Sequence, residues 1–232
     1  MLSIKHLLIP PLKSVRHLHY KTFIFSMEKH EQITIAEYQL TAESYRVGTW
    51  DHDVSQNREA LITAMPRVPG KILDLGCGPG RDLVAFQAMG HEVTGLDATP
   101  SFVEMAKQSA GCTVWEQSFL SLDLPSNYFD GIFANASLIH VPRADMLRVL
   151  KNLHNALCDR GILVMSMVRG NYEGFSERPT GYRYVSGWEY ETLAPKLVEA
   201  QFQILTHYYR PTGVAIENQS WLVLVAKKAI VQ

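Results

Sequence analysis

The stretch that most constrains this chain is Lys71-Ile72-Leu73-Asp74-Leu75-Gly76-Cys77-Gly78-Pro79-Gly80-Arg81. An apolar run rich in Ile and Leu leads into glycines at alternate positions, and from Arg81 to Met89 the pattern turns helical. Strand, tight turn and helix in that order open a doubly wound α/β sheet, whose ligand lies beyond the carboxyl end of the first strand. Gly76-x-Gly78-x-Gly80 is not the G-x-G-x-x-G spacing that places a dinucleotide pyrophosphate on a helix N-terminus. Asp74, just before the first glycine, would repel a pyrophosphate but can accept a hydrogen bond from a cationic amine. Asp97 closes the next expected strand, Glu92 to Leu96, and is placed to take both hydroxyls of a ribose.

An amine-bearing nucleoside without phosphates suits this pair of acids, and S-adenosylmethionine is such a molecule. Asp74-Leu75-Gly76-Cys77-Gly78-Pro79-Gly80, followed by Gly95-Leu96-Asp97, resembles the first two motifs of the class I S-adenosylmethionine-dependent methyltransferases of small-molecule type. The likeness runs from about Tyr45 to Lys228. It implies an α/β fold with a single doubly wound, seven-stranded, mostly parallel sheet in the order 3-2-1-4-5-7-6, helices on both faces, and no metal. It further implies cofactor contacts from Asp74, Gly76, Cys77, Gly78, Gly80, Asp97 and Ala98, with Ser118 and Phe119 beside the adenine and Asn135 beside the methyl group. Ser118 departs from the resembling family, which usually carries an acid there to hold the exocyclic amine.

Composition narrows the partners. With 22 basic and 23 acidic residues the formal net charge is −1, which argues against the Lys/Arg surplus of a broad nucleic-acid footprint. Cys77, Cys112 and Cys158 lack metal-ligand spacing and read as reduced thiols, hence a cytoplasmic setting. No apolar run approaches the roughly 18–20 residues of a membrane span. Residues 1–26 carry Lys5, Lys13, Arg16 and Lys21 and no acid. They read as a disordered extension, or as a transit peptide for mitochondrial or plastid import. Residues 27–66 read as an N-terminal helical lid segment and 67–232 as the core.

Along the chain, Ile33 to Tyr45 is helix-like, with Ile35, Tyr38 and Ala42 on one face. Asp53 is placed to cap a helix to Met65, with Gln56 as its capping-box partner. Tyr45, Trp50 and His52 are candidate lid residues over an acceptor, with a packed N-terminal helix as the equal alternative. Further expectations are a helix over Pro100–Ser109 and strands over Cys112–Trp115 and Phe129–Ala134. A helix over Arg143–Leu157 should be stopped by Cys158-Asp159-Arg160-Gly161, and a buried strand should cover Ile162–Val168. Arg169 to Trp188 interleaves Arg169, Arg178 and Arg183 with Tyr172, Tyr182 and Tyr184 among four glycines, and reads as a loop roofing the acceptor. Aromatic rings there would pack on the acceptor and a guanidinium would pair with its anion. A helix over Glu189–Ala200 and strands over Phe202–Tyr209 and Ser220–Lys227 complete the chain.

Methyl transfer from a sulfonium is an in-line displacement, so the main demands are alignment and exclusion of water. His140, after the fourth strand, is the candidate general base, with packing beneath the loop as the equal alternative. The leading expectation is methyl transfer to a small-molecule acceptor. Two other classes remain at this point: a non-catalytic S-adenosylmethionine-binding module and a nicotinamide oxidoreductase.

Overall fold

A computed structural model describes residues 19–229, with side chains described from His30 onward, so most of the expected N-terminal extension lies outside the described residues. The elements are α1 (His19–Thr49), α2 (Ser55–Ala64), β1 (Lys71–Leu75), α3 (Arg81–Ala88), β2 (Glu92–Asp97), α4 (Pro100–Ala110), β3 (Thr113–Glu116), β4 (Phe129–Asn135), α5 (Met146–Ala156), β5 (Leu157–Val168), β6 (Glu173–Arg178), β7 (Gly181–Ser186), α6 (Tyr190–Glu199), β8 (Phe202–Arg210) and β9 (Trp221–Lys228).

Seven strands form one sheet in the order β3-β2-β1-β4-β5-β9-β8. Its first five strands are parallel, and β9 runs antiparallel between β5 and β8. This is the expected architecture; the strand numbers differ because β6 and β7 form a separate hairpin inserted before the last pair. Alternation along β1 sends Ile72 into the apolar layer with Phe86 and Val103, and Leu73 and Leu75 into the opposite layer with Leu150, Leu153 and Leu193. Both faces are covered, as a parallel sheet requires. Asp74 shares the Ile72 face and is a buried charge at its edge.

Three expectations are corrected. Arg169 to Trp188 is not a loop: β6 and β7 pair antiparallel, with Phe175 opposite Tyr184 and Ser176 opposite Arg183. The glycines read as loop punctuation, but the hairpin is held by α1. Thr34 Oγ1 accepts from the Tyr184 N–H at 2.9 Å, and a Cβ on Gly181 would lie 3.3 Å from Glu37. Second, Cys158 to Gly161 does not cap α5. Leu157 pairs with Phe129, so the chain passes from α5 directly into β5. Third, α1 begins at His19, inside the expected extension.

The inward face of α1 is unusual. Thr34, Glu37 and Ala42 are buried, whereas Ile33, Leu40 and Val47 face outward. A helix whose inner side carries polar groups is covering a site rather than a core. At its C-terminal end the Thr49 carbonyl accepts from Arg81 at 2.9 Å, which ties the helix to the start of α3. The turn that follows holds Asp53, which accepts from the Ser55 N–H at 2.9 Å as α2 begins.

Candidate functional site

The turn after β1 hangs on β2: the N–H groups of Gly76 and Cys77 both donate to the Leu96 carbonyl, at 2.7 and 3.0 Å. Its glycines all have positive φ, yet they are glycine for different reasons. A Cβ on Gly76 would stand 2.3 Å from the Ser137 Cβ, and one on Gly80 would stand 2.5 Å from Ser109 Oγ and 3.0 Å from Ala106 Cα. These two allow close packing, Gly80 of α3 against α4. On Gly78 the nearest atom would be Tyr45 Cε1 at 3.9 Å, so this glycine leaves open space against a cavity.

Asp97 and Asp74 flank that turn. The Asp97 carboxylate accepts from the N–H of Gly78 at 3.0 Å and of Thr99 at 2.8 Å. Burial pushes its pKa up, and those backbone donors counter it in part. Asp74 is buried and its Oδ2 has no partner among the described residues. Burial, then the Asp82 charge, holds its pKa well above the usual carboxylate range. A buried carboxyl that lines the larger cavity and leaves one oxygen unpartnered fits a cationic amine, whose arrival would restore the ionised form. Asp82 itself is occupied by Arg58 and Arg81, each at 2.6 Å.

Two cavities meet over the turn. The larger, about 710 Å³, is lined among others by Asp74, His52, Tyr172, Arg178, Arg210 and Trp221. The smaller, about 80 Å³, is lined by Asp97, Ala98, Phe102, Phe119, Ile35 and Glu31. Both touch Tyr38, Tyr45, Gly78, Asn135 and His140. The residues expected for the nucleoside and for its amine therefore line two adjoining cavities.

His140 stands at the junction, already engaged on both nitrogens. Nδ1 lies 2.6 Å from the Tyr184 carbonyl, which only accepts, so Nδ1 carries the proton. Nε2, 2.9 Å from Tyr38 Oη, is then the acceptor of the tyrosine proton. Burial lowers the imidazole pKa to about 4, and the Arg183 and Arg178 charges add to the effect. Its lone pair is taken and its basicity is weak. These features oppose the expected general base and favour the packing alternative. Tyr38, held up in pKa by burial, lies beneath the Arg183 guanidinium, 3.8 Å from the ring centre.

Asn135 ends β4 in a directional network. Tyr208 Oη donates to Asn57 Oδ1 at 2.9 Å, Asn57 Nδ2 donates to Asn135 Oδ1 at 2.8 Å, and Ser166 Oγ donates to the same oxygen at 2.9 Å. With Oδ1 committed, the Asn135 amide turns its N–H groups to the cavities.

Several expected residues are placed elsewhere. Ser118 does not line the small cavity: its oxygen accepts from the Leu120 N–H at 3.0 Å and its proton goes to Glu31. Cys77 lines the larger cavity but directs its sulfur toward Gly95, where a Cβ would lie 3.0 Å from it. Arg183 lines the larger cavity but is paired with buried Glu37. Burial works to raise the Glu37 pKa, and the Arg183 and Thr180 hydrogen bonds overcome it, leaving it lowered. Arg169 pairs with Glu189 at 3.0 Å, and Tyr184 Oη donates to Glu173 at 2.6 Å; neither lines a cavity, nor does Trp50. Tyr45 and Tyr172 do. The residues that sequence reasoning passed over are Glu31, Asn57, Arg178 and Arg210. Arg178 sat in the flagged stretch, but the other three carried no local signal.

A family model described as "Methyltransferase domain" matches residues 72–161. A trans-aconitate 2-methyltransferase of Azoarcus sp. (strain BH72) is 28% identical over 175 residues, covering 63% of this chain and 68% of that protein. A ubiquinone biosynthesis O-methyltransferase of Haemophilus ducreyi is 32% identical over 125 residues, covering 50% of this chain and 52%, about half, of its own length. Among solved structures, the Burkholderia thailandensis 1,6-didemethyltoxoflavin-N1-methyltransferase, with 1,6-didemethyltoxoflavin and S-adenosylhomocysteine bound, superposes with a TM-score of 0.69 at 21% identity, over 96% of this chain and 94% of that one. At that identity the likeness is one of fold.

Proposed function

We propose that this chain, a class I S-adenosylmethionine-dependent methyltransferase, moves a methyl group onto a small-molecule acceptor taken into its larger cavity. The observation that carries the reading is the adjacency of the two cavities over Gly78, with Asp97 lining one and buried Asp74, whose Oδ2 has no partner among the described residues, lining the other. When bound, S-adenosylmethionine supplies an electrophilic methyl on a positively charged sulfur. Asp97 would accept from the ribose hydroxyls, Asp74 would accept from the ammonium, and Ala98 and Phe119 would bound the nucleoside.

The remaining work falls to alignment. Tyr38, Tyr45 and α1 roof the junction and exclude water, and Asn135 is fixed to present donors there. His140 holds Tyr38 in place, and with Nε2 taken by that hydroxyl and its basicity lowered by burial it is a poor base for the acceptor. The acceptor side of the cavity combines Tyr172, Val185 and Trp221 with two arginines that have no acidic partner among the described residues, Arg178 and Arg210. Arg210 donates only to the Asp53 carbonyl, at 2.9 Å. This chemistry favours an acceptor with an apolar body and an anionic group. The relatives named for trans-aconitate and for ubiquinone biosynthesis support a small-molecule acceptor, as the near-neutral charge does over nucleic acid. No described helix is long and apolar enough to cross a membrane, and the three cysteines are free, in keeping with a reducing, cytoplasmic setting.

The test is a screen of organic acids and phenols for S-adenosylhomocysteine release. For any acceptor found, the Arg178→Gln/Arg210→Gln pair should raise KM at least about tenfold while S-adenosylhomocysteine affinity holds. Calorimetry that detects no S-adenosylhomocysteine binding would remove the cofactor assignment itself.

A further inference from the structure

The small cavity receives carboxylates from two elements, and the cofactor reading above accounts for only one of them. Asp97, at the end of β2, is bonded to the glycine turn through the Gly78 N–H. Glu31 arrives from α1 and lines the same cavity. Its Oε1 accepts the Ser118 proton, since an ionised carboxylate has none to donate, while Ser118 Oγ accepts from the Leu120 N–H at 3.0 Å. Glu31 Oε2 has no partner among the described residues. Around these acids the walls are apolar: Ile35, Phe102, Phe119, Leu120 and Val141.

A slot of this kind suits a flat ring bearing hydrogen-bond donors. Adenosine offers donors at two separated places, the ribose hydroxyls and the exocyclic amine of the base. A carboxylate accepts from either, and a buried polar ligand group left unmatched would cost binding energy. Because Asp97 is bound to the turn on which the ribose would rest, a second acid from another element is free for the base. We infer that Glu31, carried by α1, accepts the hydrogen bond of the exocyclic amine of the cofactor's base, and that Ser118 is its positioning residue. The assignment rests on the methyltransferase reading. It turns α1 from a cover into a contributor to cofactor choice. The serine at position 118 then reaches the base through a borrowed carboxylate.

The test measures binding and requires no acceptor. Calorimetry would compare S-adenosylhomocysteine with its analogue lacking the 6-amino group, on the wild type, Glu31→Ala and Ser118→Ala. Glu31→Ala should weaken S-adenosylhomocysteine by about tenfold or more and change the analogue by less than about twofold. Ser118→Ala should shift the same ratio in the same direction by a smaller factor. Equal weakening of both ligands would assign Glu31 to the structure of α1 and overturn the inference, as would unchanged S-adenosylhomocysteine affinity. A wild type that binds neither ligand would instead overturn the methyltransferase reading. Binding of the analogue reports that each variant is folded.

Discussion

Acidification probes the junction most directly. His140 faces the Tyr38 hydroxyl, the Tyr184 carbonyl, the cations Arg183 and Arg178, and the anion Glu37. Burial is the largest influence on it and lowers its pKa from 6.5 to about 4 in the fold. The unfolded chain therefore binds a proton near pH 6.5, before the folded one does, and stability falls as pH drops through that window. The contribution is fully present above about 6.5 and is lost by about 4. Over that interval it amounts to at most about 3 kcal/mol, at about 1.4 kcal/mol per unit. The assay is urea unfolding from pH 7.5 to 4 for the wild type and His140→Gln, whose amide can still donate to Tyr184 and accept from Tyr38 without titrating. The wild type should lose up to about 3 kcal/mol more than the variant on acidification. Other groups, including His154, are common to both and cancel. Parallel curves would refute the reasoning, as would an NMR titration placing the His140 ring near its ordinary value. An acidic limb near pH 6.5 in kcat that vanished in the variant would restore the general base.

Other outcomes follow from the same geometry. Gly80→Ala should destabilise the protein by about 2–4 kcal/mol, through a positive φ and a Cβ driven into Ser109 and Ala106. Gly78→Ala, with open space before it, should cost less stability and more S-adenosylhomocysteine affinity; urea midpoints in the reverse order would contradict this. Asp97→Ala should weaken S-adenosylhomocysteine by about 2–4 kcal/mol, since hydrogen bonds to a charged group each contribute about 1.5–3. An unchanged isotherm in the folded variant would remove Asp97 from the site. Arg183→Ala should lower stability by about 2 kcal/mol, because it strips the ion pair from buried Glu37 while Thr180 still donates to it. Lost turnover at an unaltered melting temperature would mean that Arg183 touches the acceptor instead.

Much of this was legible in the chain because it is local. The turn after β1, the acid before it and the acid closing β2 lie within one βαβ unit, where spacing along the sequence determines spacing in the fold. The alternation that buries β1 on both faces and the leucines of α5 are equally local patterns, whereas the sheet order came with the family resemblance. What was not legible depended mostly on α1. The hairpin read as a loop because its glycines and exposed aromatics satisfy no rule by themselves; only Thr34 and Glu37, some 150 residues earlier, give β7 its backing. His140 read equally as a base or as a packed residue because its sequence neighbours said nothing of Tyr38 or of the Tyr184 carbonyl, which engage both its nitrogens. Asn57, Tyr208 and Asn135 meet from three distant elements, and neither partner of such a bond marks the other in the sequence. The sequence by itself determined the floor on which a cofactor rests, since that floor is one contiguous turn. Tertiary structure alone decided which charges stay free above it, because a side chain's partners depend on what the fold brings within about 3 Å.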